Sequence, residues 1–108
     1  MDPVAFSTVT ALAEPGPGRF TGAVHPGWTI AGKPNGGYLL AMLARAAGSV
    51  GPHPHPIAAS AHYLRSPDPG PVEIEVEVLR AGRSASQVRA RLNQDGAACI
   101  EAVLLDAA

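Results

Sequence analysis

One segment of this chain, residues 35–48 (NGGYLLAMLARAAG), reads as a helix that is apolar on every side except at Arg45. A helix on a protein surface shows a polar stripe, so a helix with this pattern is expected to be buried nearly all round. Asn35 is a good N-cap residue and Gly48 is a good C-terminal stop, which marks both ends. The rest of the chain therefore has to surround one buried helix.

The start of this helix carries two glycines, Gly36 and Gly37, although a glycine costs roughly 1 kcal/mol relative to alanine inside a helix. One explanation is tight packing of the helix start against a sheet. The other is close approach of a ligand, because the amides at a helix N-terminus attract groups that carry or develop negative charge. Asn35 has two readings as well, a plain N-cap or a residue that orients a water or a carbonyl.

Composition describes one small domain, which we place at residues 1–108. Hydrophobic residues make up 46% of the 108 residues, enough for one core. No apolar run approaches the ~20 residues of a membrane span, and the N-terminus lacks the layout of a signal peptide, so a cytoplasmic location is the default expectation. A single cysteine excludes an internal disulfide and a cysteine-based zinc cluster, and a net charge of −1 argues against a nucleic-acid partner.

Outside the helix, the pattern is typical of β-strands separated by proline- and glycine-rich breaks at 14–18, 51–56 and 66–71. The last four strands are expected to follow one another in a meander. A helix so apolar is best explained by a curved antiparallel sheet wrapped around it. The predicted strands cover residues 6–13, 20–25, 57–65, 72–78, 86–93 and 98–105.

The strand at 72–78 alternates apolar and glutamate residues, and its expected partner alternates apolar residues with Arg89 and Arg91. The acidic and basic faces should meet across the pair, and the strands should be joined by a three-residue loop around Gly82 with a left-handed bulge.

The final hairpin at 94–97 presents a conflict, because a two-residue turn would place Glu101 on the core side. We expect a longer or bulged turn that brings Ile100 inward, with a buried functional Glu101 as the alternative.

Four motifs together resemble the N-terminal half of the acyl-CoA thioesterase II family and its thioesterase-like relatives: PNGGYL at 34–39, AHYLR at 61–65, VLRAGRS at 78–84 and QDG at 94–96. Members resemble two hotdog domains in tandem that hydrolyse the thioester between coenzyme A and a fatty acyl group. The resemblance implies an α+β hotdog fold with one long buried helix, a role in fatty acid metabolism, and no cofactor beyond the coenzyme A moiety of the substrate. It covers only half of a family member, so a second hotdog domain or a homo-oligomer is expected.

The resemblance does not supply a complete catalytic set. The family's catalytic Asp, Thr and Gln lie in the C-terminal hotdog and have no counterpart here. In single-hotdog thioesterases, a His-Gly-Gly at the helix start offers an amide to the thioester carbonyl, and a carboxylate on the helix acts as base or nucleophile. In this chain Asn35 stands for the histidine, Gly36 and Gly37 match, and Ala44 falls where the acid would be.

Candidate site residues follow from these comparisons. His62 is either a base at the pocket mouth or a partly exposed strand histidine, and Tyr38 either lends its hydroxyl to the pocket or belongs to the core. Arg83 is the best candidate for a contact to the coenzyme A phosphates, helped by two serines. The His53 and His55 pair lacks a nearby acid or cysteine, so no metal site is expected. The predicted catalytic residues are Asn35, Gly36, Gly37 and His62, and the predicted substrate-binding residues are Tyr38, Arg83, Ser84 and Ser86.

Two functional classes stay open from the sequence. The chain is either a thioester hydrolase whose site forms between two hotdogs, or a non-catalytic acyl-CoA binding module that pairs with a catalytic partner. The resemblance favours the first, while the absence of Asp and Glu from the helix favours the second for this chain alone.

Overall fold

The computed structural model of the chain describes residues 10–30, 33–34 and 36–107. One α-helix and eight strands are described there, together with a short 3-10 helix at Pro26–Trp28. The elements are β1 (Ala13–Gly16), β2 (Arg19–Val24), β3 (Thr29–Ile30), β4 (Lys33–Pro34), α1 (Gly36–Val50), β5 (His55–Tyr63), β6 (Gly70–Ala81), β7 (Ala85–Gln94) and β8 (Ala97–Ala107).

Six of the strands form one antiparallel sheet in the order β1-β2-β6-β7-β8-β5, and α1 packs against one face of it, mainly over β6 and β7. The core lies between this face and the helix, which confirms the predicted antiparallel sheet with one helix packed on it. The expectation that the helix is buried nearly all round is wrong, because only the face toward the sheet is fully buried, while Ala41 and Ala44 on the opposite face are half-buried. Its largest fully buried apolar side chains include Met42 and Leu43 of the helix and Ile74, Leu92, Ile100 and Leu104 of the sheet.

The predicted meander of four strands is wrong for β5. Strands β6, β7 and β8 are sequential neighbours, but β5 pairs with β8 at the far edge of the sheet. Pro54 precedes β5 and Pro56 lies within it. A proline has no backbone N–H, so it cannot donate a hydrogen bond in a central strand that has a neighbour on each side. An edge position removes that conflict, because the outer side of an edge strand has no partner in the same sheet.

The first strand also differs from the prediction. Residues 6–9 lie outside the described residues, 10–12 are not in a strand, and β1 occupies Ala13–Gly16, where a turn was expected. Pro15 is tolerated because β1 is the other edge of the sheet. The turn shrinks to Pro17 and Gly18, the latter with a φ of 70°.

The β6–β7 pairing is as predicted: Val78 faces Val88, Glu77 faces Arg89 and Glu75 faces Arg91. The loop between the strands has the three residues 82–84. The predicted left-handed bulge at Gly82 is wrong, because the positive-φ residues of the described chain do not include Gly82. The register shift falls at Leu79 instead.

The last hairpin closes through a tight two-residue turn, with Asp95 at φ 52° and Gly96 at φ 78°, so the expected longer turn is wrong. The irregularity lies just beyond the turn, where Asn93 pairs with Ala98 but Leu92 pairs with Ile100, leaving Cys99 as the extra residue. Ile100 therefore faces inward, as predicted. Glu101 lies on the outer face and accepts a hydrogen bond from Arg91 at 3.4 Å, which excludes the buried alternative.

The helix continues to Val50, two residues past the stop predicted at Gly48. A Cβ at Gly48 would lie only 2.8 Å from the carbonyl oxygen of Pro54, so this glycine permits the connector to cross close to the helix. No helix among the described residues is long and apolar enough to cross a membrane.

Candidate active site at the helix start

The start of α1 opens to the surface beside the last residue of β5. The Tyr63 hydroxyl donates a hydrogen bond to the carbonyl oxygen of Gly36 at 3.0 Å, and the Tyr63 side chain is 53% exposed. Gly37, the second residue of the helix, is also exposed. The Tyr63 side chain thus packs on the first residue of the helix, next to the exposed Gly37.

Packing does not require a glycine at position 36. A Cβ there would lie 3.5 Å from the ring and hydroxyl of Tyr63, which is ordinary van der Waals contact. The tight-packing explanation therefore fails at this residue, and close approach of a ligand remains. Asn35 lies outside the described residues, so its role as a cap or catalytic group stays a prediction.

The electrostatics of the site come from the backbone. The amides at the start of the 15-residue helix form the positive end of its dipole, which favours an oxygen that carries or develops negative charge. The helix contains no Asp or Glu. Within the described ranges no cluster of His, Cys, Asp and Glu has the composition of a metal site. The arrangement can stabilise an oxyanion, but it lacks a base of its own on the helix.

His62 does not join this site. It pairs with Glu101, which lies on the outer face, whereas its neighbour Tyr63 pairs with the buried Ile100. Directly opposite residues of neighbouring strands share a face, so His62 points away from the helix. Sequence reasoning singled out His62 and missed Tyr63, although the alternation that places Ala61 inward also places Tyr63 inward.

Tyr38 lies in the core, with only 2% of its surface exposed. Its hydroxyl accepts a hydrogen bond from the amide of His25 at 3.0 Å and donates one to the carbonyl of Ala23 at 3.1 Å. The side chain therefore ties the first turn of the helix to the end of β2. Of its two readings from the sequence, the structure supports the core residue.

The predicted phosphate-binding residues lie at the other end of the sheet. A ring nitrogen of His53, which follows the helix C-terminus, is 2.8 Å from the carbonyl of Gly82 in the β6–β7 loop. Strand β5 separates this end from Tyr63 by about 26 Å, at about 3.3 Å per residue. Arg83 and Ser84 are exposed there, but Ser86 is buried at 1% exposure and does not face the surface. One chain does not bring these residues to Gly36 and Gly37.

Strand β5 is exposed along almost its whole length, with only Ala61 half-buried. Ile57 in this strand is 61% exposed. A long edge strand with exposed apolar side chains and unpaired backbone groups is a template for another strand. The site at Tyr63 therefore lies at one end of an open sheet edge.

Residues 24–105, which include the helix, Tyr63 and the β6–β7 hairpin, match the model of the acyl-CoA thioesterase N-terminal domain. The chain belongs to this family. The family expected from the sequence is thereby confirmed, and the expected hotdog fold is confirmed by a solved hotdog structure that is 27% identical to the chain.

Three relatives of this acyl-CoA thioesterase N-terminal domain are much longer than the chain. An uncharacterized protein of Mycobacterium tuberculosis is 34% identical over 92% of the chain and 38% of its own length. A candidate thioesterase II of Thermobifida fusca is 34% identical, with a TM-score of 0.92 over 94% of the chain and 38% of that protein. A hotdog protein of unknown function from Alicyclobacillus acidocaldarius is 27% identical, with a TM-score of 0.86 over 98% of the chain and 40% of that protein. The chain thus spans well under half of each.

Proposed function

We propose that this domain is one half of an acyl-CoA thioesterase whose site forms between two hotdog domains. The observation that carries the proposal is the helix start, where packing does not require a glycine at position 36 and Gly37 is exposed. Membership of the acyl-CoA thioesterase N-terminal domain family supports the thioesterase class.

The helix start would stabilise the reacting carbonyl. In thioester hydrolysis a water attacks the carbonyl carbon, the carbonyl oxygen takes up negative charge, and the thiolate of coenzyme A leaves. Donors aimed at that oxygen lower the barrier, and one lost donor typically costs about 3 kcal/mol. The Tyr63 hydroxyl holds the Gly36 carbonyl, so its role is to fix the backbone that carries the donors.

A base has to come from outside this helix. No carboxylate lies on α1, and His62 faces the opposite side of the sheet. General-base assistance contributes about 10²–10⁴-fold in rate, so the chain alone should hydrolyse acyl-CoA slowly or not at all. The same observation favours a second candidate function, a non-catalytic acyl-CoA binding domain that serves a catalytic partner.

The proposed partner is a second hotdog, either another copy of the chain or another domain. It would add its own edge strand antiparallel to β5, which covers the exposed edge and continues the sheet. The coverage of two of the relatives supports this partner, because the chain accounts for 38% of the Thermobifida fusca protein and 40% of the Alicyclobacillus acidocaldarius protein. The reaction as proposed needs no cofactor besides the coenzyme A of the substrate.

The test compares turnover with binding. Thiol release from a panel of acyl-CoAs, from acetyl to palmitoyl, is measured for the purified chain beside a complete tandem thioesterase, and binding of the same compounds is measured by calorimetry. We expect binding with slow or no turnover.

Turnover equal to that of the tandem enzyme would show that the base lies in this chain. Its loss in His62→Ala or Glu101→Gln would then identify that base. Neither binding nor turnover with any chain length, in a folded chain, would contradict both proposed functions.

A further inference from the structure

Three buried polar side chains lie together on the core side of the sheet, at the end where the chain leaves α1. Asp106 of β8 is directly opposite Ser86 of β7 on one side and Pro56 of β5 on the other. His53 belongs to the connector at 51–54, which follows the helix. Asp106 is 0% exposed, Ser86 1% and His53 7%. We name these three residues the buried polar cluster.

The hydrogen bonding of the buried polar cluster depends on the protonation of Asp106. Neither carboxylate oxygen of Asp106 nor the Ser86 hydroxyl has a partner among the described residues. A neutral carboxyl group both donates and accepts, so it can exchange hydrogen bonds with the hydroxyl opposite it. An ionised carboxylate only accepts, and the single O–H of Ser86 satisfies only one of its two oxygens. Pro56, on the other side, has no N–H to offer.

His53 joins the buried polar cluster to the β6–β7 loop. One ring nitrogen, Nε2, is 2.8 Å from the carbonyl oxygen of Gly82, and the amide of Gly82 donates to the carbonyl oxygen of Ala85 at 2.8 Å. The connector also lies close to the sheet, since a Cβ at Gly51 would be 3.5 Å from the Val88 side chain. A displacement of the connector therefore removes a contact that holds the loop.

The surroundings of Asp106 do not compensate a negative charge fully. Burial raises the pKa of Asp106, and the positive charge of His53 lowers it by less. The other charged or titratable side chains on the surrounding elements are exposed or lie on the outer face of the sheet: Arg45 of α1, His55 of β5, Arg80 of β6, Arg83 of the loop, Arg89 of β7 and Glu101 of β8. An ionised Asp106 is therefore more stable where water can reach it.

We infer that the buried polar cluster is a proton-dependent latch. While Asp106 is neutral, the connector stays closed over it; when Asp106 ionises, the connector opens to admit water and releases the contact of His53 with the β6–β7 loop. The closed form binds the Asp106 proton more tightly than the open form does, so opening becomes more favourable as the pH rises. No substrate takes part in this latch, so it stands apart from the proposed function.

The test is amide hydrogen exchange of the unmodified chain from about pH 4 to about pH 8, with each rate divided by that of an unstructured peptide at the same pH. The amide of Gly82 reports on the loop. The amide of Leu64, which donates to the carbonyl of Cys99 at 2.8 Å at the opposite end of the sheet, is the internal reference. Protection of Gly82 should fall by about tenfold for each pH unit until Asp106 is ionised in the closed form too, because one proton is released on opening. Protection of Leu64 should stay constant.

Two variants separate Asp106 from His53. Asp106→Asn keeps the shape of the side chain but does not titrate, so protection of Gly82 should no longer depend on pH although His53 is still present. The matched control, Asp95→Asn, removes an exposed carboxylate in the other hairpin and should behave as the unmodified chain does. In His53→Gln, which removes the positive charge beside Asp106, the fall in protection should extend to higher pH.

Protection of Gly82 that is independent of pH in the unmodified chain would overturn the latch. An equal fall at Gly82 and Leu64 would also overturn it, because Asp106 would then act only on the stability of the whole domain. The same fall at Gly82 in Asp106→Asn as in the unmodified chain would assign the effect to another group.

Discussion

Asp106 provides the sharpest prediction on stability. Its side chain is fully buried, and neither carboxylate oxygen has a hydrogen-bond partner among the described residues. Ser86 lies directly opposite on β7, and its hydroxyl is likewise unpartnered. A buried group in this condition costs about 1–3 kcal/mol of stability when neutral, and more when it is charged.

Burial raises the pKa of Asp106, and the charge of His53 opposes the shift only in part. Because the folded-state pKa is higher than the unfolded one, the unfolded chain releases this proton at lower pH. Between the two values the folded state holds more protons, so the free energy of unfolding falls as pH rises. The loss amounts to about 1.4 kcal/mol for each unit by which the pKa is raised, and it is complete above the folded-state pKa.

Asp106→Asn removes this titration while keeping the shape of the side chain. We expect the variant to gain stability relative to the unmodified chain as pH rises from about 4 towards neutrality, and to be the more stable of the two above the folded-state pKa. Urea unfolding at a series of pH values measures the difference. The matched control is Asp95→Asn, which removes an exposed carboxylate from a turn with a φ of 52° that asparagine also accepts.

If the difference in free energy of unfolding between the unmodified chain and Asp106→Asn were the same at every pH, the reasoning would be refuted. Asp106 would then have the same proton affinity in the folded and the unfolded chain.

Further predictions concern packing and assembly. Gly36→Ala should raise the free energy of unfolding by up to about 1 kcal/mol, because the new methyl group fits and alanine is the better helix former. Gly48→Ala should lower it by about 1–3 kcal/mol, because its Cβ would lie 2.8 Å from the Pro54 carbonyl; urea unfolding that ranks the two variants in the opposite order would contradict the geometry. In sedimentation at micromolar concentration the chain should form a dimer or tetramer through β5, and a single 11.0 kDa species would argue against an edge that pairs with a second copy.

Local patterns in the sequence correctly predicted how strands that follow one another in the chain pair. The alternation of glutamates in β6 and arginines in β7 gave the correct register, because one face of each strand is core and a slip of one residue would bury charge. The apolar preference of Ile100 for the core was also correct. The sequence did not show that a bulge at Cys99 turns Ile100 toward the core, since an extra residue can be placed at several positions along a strand.

Long-range placement was harder to predict. The edge position of β5 depends on which strand it pairs with after the chain leaves the helix. The prolines before and within β5 exclude a central position in the sheet, but they do not determine which of the two edges β5 occupies. The site had the same difficulty: Gly36 was predicted from its odd place in a helix, but Tyr63 reaches it only through the pairing of β5 with β8. Arg83 was predicted as a phosphate contact. The sequence did not show that the β6–β7 loop lies at the end of the sheet opposite the helix start, because that depends on how all the strands run relative to the helix.

The central claim is that the start of α1 holds the acyl thioester, and Gly37→Val tests it most directly. Valine is no worse a helix former than glycine, so the helix should remain intact while its side chain blocks approach to the backbone. The control is Gly16→Val in β1, where a Cβ has no neighbour within 4 Å. Binding of an unhydrolysable acyl-CoA thioether, measured by calorimetry, should be lost in Gly37→Val and kept in Gly16→Val. Unchanged binding in a folded Gly37→Val protein would contradict the account, because the exposed backbone at the helix start would then not be the place where the acyl thioester binds.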